Sequence, residues 1–206
     1  MLETIREYAL EQLVESGEVE VTEYAYAHSL LQFAERVEPH LYEQEYRVWL
    51  DHLEEEYNNL RAALAWSLDR GEWNIYQRLT GALSPFWHMR EHLIEGRHWI
   101  EKALAAPAIS DQPRAKVKAL LGAGWIEMGV GRYADARTRF EAALTLSEEL
   151  GDDFLLAQSL FAVALAAWRQ GNHDAARAAA EKSLPMLREL GHTRDVTAVV
   201  HVLGLL

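Results

Sequence analysis

The 206-residue chain has no cysteine, so it can form neither disulfides nor thiolate metal sites, and it suits a reducing compartment. It has only five prolines and is half hydrophobic, which excludes a disordered polar chain. No uninterrupted apolar run approaches the ~20 residues that span a bilayer, and the first residues are too charged for a signal peptide. Lysine is missing from residues 1–60, where 15 Asp/Glu stand against 3 Arg; residues 61–206 carry 17 acidic and 17 basic side chains. Such an acidic front repels phosphates, so this segment is expected to make no direct nucleic-acid contact, and its plain reading is a solvated helix surface. A cytoplasmic, mostly helical protein with no membrane partner is the expectation.

What the chain does have is a repeat of forty residues. Small residues recur at Gly96, Ala136 and Ala176, and the slot four positions on holds Ile100, Phe140 and Ala180. A second small series runs Ser84, Gly124, Ala164 and Gly204, and a turn series runs Glu91, Gly131 and Gly171. One helix pair per period marks a stacked solenoid, in which small residues let paired helices approach closely.

The apolar spacing predicts helices over about 74–90 and 93–105, one capped by Asp111 with Pro113 in its first turn and running to about Val130, and then 133–150, 154–170, 173–190 and 195–206. The front, residues 1–73, is less regular. It reads as a helix over 2–16, a strand-like Val19-Glu20-Val21, a helix capped by Thr22, a break at Pro39, and a longer helix over 43–70, either continuous or interrupted. The last segment matches only the first helix of another unit, so the chain is expected to be truncated there or to self-associate through its C-terminal helix.

Two strings invite chemistry. His88, Glu91 and His92 form an H-x-x-E-H string, which on one continuous helix suits a zinc hydrolase. Glu91, however, occupies the slot of the turn glycines, so the helix is expected to end between the histidines. Gly129-Val130-Gly131-Arg132-Tyr133-Ala134 follows a helix and not a strand, which fits a repeat turn better than a dinucleotide loop. No cofactor is expected.

The units resemble tetratricopeptide repeats in Gly131-Arg132-Tyr133-Ala134-Asp135-Ala136 and Gly171-Asn172-His173-Asp174-Ala175-Ala176, with departures. The period is 40, not 34, and Leu120 and Leu160 hold the family's tryptophan slot. The front is similar to bacterial signal-transducing ATPases of the STAND/NB-ARC type. Met1 to Leu13 looks like the end of their winged-helix module, followed by Trp49 to Glu54, Asn59 to Trp66 and Glu95 to Glu101. The resemblance implies an all-α, right-handed tetratricopeptide-like solenoid over 74–206 behind an irregular helical region over 1–73. It also implies a non-catalytic arm of a multidomain ATP-dependent transcriptional regulator. The phosphate-binding loop of that class is not in this sequence.

In the family the first helix of each pair lines the concave groove. That register selects Arg78, Pro85, His88 and Met89 in one unit, and Lys118, Leu121, Trp125 and Met128 in the next. The third unit adds Gln158, Phe161, Leu165, Trp168 and Arg169. An aromatic stripe with basic edges suits a protein, a peptide or a small effector. Filling the gaps between hairpins explains the same residues equally well. A stand-alone repeat adaptor is the alternative function, and a zinc hydrolase using His88, Glu91 and His92 a remote one.

Overall fold

The computed structural model describes residues 17–107 and 113–206 and contains, among them, ten α-helices and no strand. The front comprises α1 (Val19–Val37), a short 3-10 helix (Glu38–Tyr42), α2 (Tyr46–Glu55) and α3 (Tyr57–Arg70). Three hairpins follow: α4 (Trp73–Met89) with α5 (Leu93–Ala105), α6 (Pro113–Gly129) with α7 (Tyr133–Leu150), and α8 (Asp153–Arg169) with α9 (His173–Glu189). A single helix, α10 (Thr193–Leu205), closes the chain. The architecture is an all-α, tetratricopeptide-like solenoid. The 2–16 helix, the Met1–Leu13 motif and the Asp111 cap lie outside the described residues.

Two expectations for the front need correction. Val19-Glu20-Val21 opens α1 and is not strand-like, and Thr22 lies inside that helix. Three residues with no partner strand cannot build a ladder, so the helical run takes them. Of the two readings of 43–70, the interrupted one holds, as two helices. Glu56 sits outside helical geometry at φ −90° and ψ 2°, and its N–H closes onto His52 and Glu54 as α2 ends.

The hairpins are punctuated by glycines with left-handed backbone. After α6, the Gly131 N–H bonds to Met128 O (3.2 Å) and the Arg132 N–H to Glu127 O (2.9 Å). The first hairpin puts Glu91 in that place, the one non-glycine residue with positive φ (60°) among the described residues. Helix crossings follow the small-residue series. A Cβ on Gly96 would lie 2.7 Å from Trp87 Cβ, and one on Gly124 would overlap the Phe140 ring. Ile100, Phe140 and Ala180, the forty-residue core slot, are fully buried. Gly204 continues the small series but is exposed, with no atom within 4 Å of where its Cβ would lie.

One continuous core joins the front to the first hairpins, running from Ala27 through Leu64 and Trp87 to Ile126. Polar links cross the same seam: Trp87 Nε1 donates to Tyr57 Oη (3.0 Å), and Arg78 grips Glu35 through two bonds of 2.8 and 2.6 Å. The 3-10 helix crosses to the far end of the solenoid. Its Tyr42 ring stacks on His192 (centroids 5.3 Å apart, 6° between planes), and Phe154 meets both rings edge-on.

Candidate functional site

The first helices of the hairpins, α4, α6 and α8, lie side by side, and their shared face carries the residues that repeat every forty positions. The 3-10 helix covers one side of this face and α10 another. Between them is a cavity of about 230 Å³. Its floor is Pro85, His88 and Met89 from α4, Leu121 and Trp125 from α6, and Phe161 and Leu165 from α8. Its polar rim is Glu38 and Tyr42 from the 3-10 helix, Lys118, Gln158, and Arg194 and Asp195 from α10. Glycine makes the walls fit. A Cβ on Gly81 would press on Lys118 Cβ at 3.2 Å, and one on Gly122 would collide with Ser84 at 2.5 Å.

Trp125 is the hub of the apolar part. Its ring packs on His88 (5.2 Å, 28°), Phe140 (5.2 Å) and Phe161 (5.7 Å). Burial pushes the His88 imidazole down to about 4, helped by the nearby Arg194 charge, so the ring is neutral at pH 7. Its Nδ1 has no hydrogen-bond partner.

The polar rim is unevenly satisfied. Lys118 Nζ lies 2.5 Å from Glu38 Oε2, and this pair is the main reason the buried Glu38 can carry charge. Burial raises the Glu38 carboxyl above its ordinary range, and Lys118 works against that rise. Burial likewise raises the Tyr42 phenol, which stays neutral. Gln158 faces that hydroxyl, yet its Nε2 meets no acceptor at hydrogen-bonding geometry although the residue is 9% exposed. The Arg194 guanidinium touches the Met89 sulfur (3.6 Å) and stands over the Tyr46 ring (5.2 Å). Asp195 has His192 Nδ1 at 3.7 Å.

Nine of the thirteen groove residues expected from the sequence line this cavity: Pro85, His88, Met89, Lys118, Leu121, Trp125, Gln158, Phe161 and Leu165. Four do not. Arg78 is consumed by Glu35 of α1. Met128, Trp168 and Arg169 fall in the last turns of α6 and α8, outside the lining, with Arg169 stacked over Trp168 (5.0 Å). Glu38, Tyr42, Arg194, Asp195 and Ala198 were not anticipated. Ala198 was within reach, since it stands forty residues after Gln158, itself forty after Lys118.

The H-x-x-E-H string is split by a turn. α4 ends at Met89, Glu91 turns left-handed, and His92 precedes α5, facing Glu54 at 3.3 Å. His88 meanwhile lies against Trp125, and among the described residues no three His, Asp or Glu side chains gather as a metal site. No helix among them is long and apolar enough to cross a membrane.

Stacked hairpins with glycine turns and small-residue crossings define a known repeat. Residues 118–189 match the tetratricopeptide-repeat family. Such repeats typically mediate protein–protein interaction. The chain is also 34% identical, over 176 residues, to a "Putative HTH-type transcriptional regulator" of Mycobacterium bovis, and equally to proteins of the same title in two Mycobacterium tuberculosis strains. Each alignment takes in 79% of this chain and 19% of the relative, so the chain spans about a fifth of the length of the regulators it matches.

Proposed function

We propose that this tetratricopeptide-like segment is the non-catalytic, effector-binding arm of a multidomain, ATP-dependent bacterial transcriptional regulator acting in the cytoplasm. The observation that carries this reading is the cavity itself. It lies on the face shared by the first helices of the hairpins, and both the front (Glu38, Tyr42) and the last helix (Arg194, Asp195) contribute to its walls. An occupant of that cavity touches the front and α10 at once. It can therefore bias their relative placement by the difference in its affinity for two arrangements. The similarity to much longer putative HTH-type regulators supports a place in such a protein, and in this reading an ATPase switch lies on the front side and a DNA-binding output elsewhere.

Sequencing the coding region on both sides of residues 1–206 tests this. A phosphate-binding loop and winged helix upstream, with a helix-turn-helix output domain in the same reading frame, is the expected result. A start codon at Met1 with a stop directly after Leu206 overturns it and leaves a stand-alone adaptor.

A further inference from the structure

The cavity also indicates what kind of molecule it takes, an inference that rests on the effector-binding reading above. At about 230 Å³, and walled by five structural elements, it suits a small molecule. Its interior chemistry is lopsided toward donors. Gln158 Nε2 is a buried donor without an acceptor. Arg194 has no carboxylate within 4.0 Å among the described residues, and its donors reach only a thioether sulfur. Lys118 spends one of its three N–H donors on Glu38. Buried donors are normally paired in native proteins, so an orphan donor lining a cavity marks where an acceptor belongs.

The acceptors on the same rim are less free. Glu38 is held through one oxygen by Lys118, and Asp195 at the start of α10 has His192 Nδ1 at 3.7 Å. Their presence disfavours a ligand with more than one negative charge. The remaining walls, Trp125, Phe161, Leu121 and Leu165, call for a flat apolar body that lies against an indole.

We propose that the cavity binds a small monocarboxylate with a flat apolar body, its carboxylate taken by Arg194 and Gln158 and its body packed on Trp125 and Phe161. A guanidinium and an amide N–H suit a carboxylate through charge-assisted hydrogen bonds. The unpartnered Nδ1 of His88 offers a further contact to whatever polar atom the body carries.

The test uses the whole 206-residue protein and three acids (benzoate, 3-phenylpropanoate and indole-3-acetate), each beside its primary amide, in calorimetric titrations at pH 7.5. At least one acid is expected to bind saturably and at least tenfold more tightly than its amide. Arg194→Gln is expected to abolish that preference while leaving the melting temperature within 2–3 °C, since the side chain pairs with no carboxylate. Gln158→Leu is expected to weaken the acid several-fold, and Trp125→Ala to weaken acid and amide together. Equal binding of acid and amide overturns the carboxylate assignment. Saturable binding by none of the six overturns the small-molecule site altogether. The second failure also removes a small effector from the reading above, whereas the regulator context of the arm is tested separately by the flanking sequence.

Discussion

Lys118 on α6 neutralises Glu38 on the 3-10 helix across 80 residues of sequence, at 2.5 Å. The carboxylate is 4% exposed, so its charge depends on this one ammonium. Lys118→Met is expected to cost ~3 kcal/mol, at the low end for an orphaned buried charge because Glu38 can take up a proton. Glu38→Leu with Lys118→Met is expected to recover most of that loss. Urea denaturation of the two variants checks it, and a double variant no more stable than Lys118→Met refutes it.

Glu91 occupies a turn position that glycine fills in the later hairpins, with φ at 60°. Glu91→Gly relieves the left-handed strain and gives back part of it in chain entropy, so a net gain of about 0.5–1 kcal/mol is expected. The reciprocal Gly131→Glu is expected to lose about 1 kcal/mol. Thermal melts of the pair should move in opposite directions.

At the α6–α7 crossing, a Cβ on Gly124 would lie 2.8 Å from Phe140 Cζ, with closer contacts to the same ring, which is fully buried and has nowhere to retreat. Alanine is the better helix former by about 1 kcal/mol, yet Gly124→Ala is expected to destabilise the protein by about 1–3 kcal/mol because the overlap wins. Adding Phe140→Leu should return part of that loss. If Gly124→Ala is stabilising, the hairpins are not packed this closely.

The neutral His88 gives stability a pH dependence with a definite sign. The unfolded imidazole takes up its proton near 6.5, while the folded one resists until about 4. Below pH 6.5 the unfolded state therefore binds more protons, and stability falls as pH falls through that window. At about 1.4 kcal/mol per pH unit, the native protein is expected to lose about 2–3 kcal/mol more than His88→Gln between pH 7 and 4.5. Parallel stability–pH curves for the two proteins would refute this.

The repeat region was legible because its signals are local and periodic. Glycine or its substitute Glu91 marks the turns after α4, α6 and α8, and the helix ends lie within a residue or two of their expected places. The α4, α6 and α8 walls of the cavity were legible for the same reason, since Lys118 and Gln158 share one register. The front has no period to read. Glu38 and Tyr42 reach the cavity through contacts 80 and 150 residues long in sequence, and no local pattern encodes such a reach. Arg78, although in register, was claimed by Glu35, a partner from outside the repeat.

The stack of Tyr42 on His192 turns what would be a coiled spring into a latched one. Hairpins joined only to their neighbours can yield one at a time. Here any twist that carries α10 away from the front must either be shared by all three hairpins or slide one ring off the other. The rings are parallel to within 6°, and the stack joins the side of the cavity that carries the buried Glu38 to the side that carries the buried Asp195.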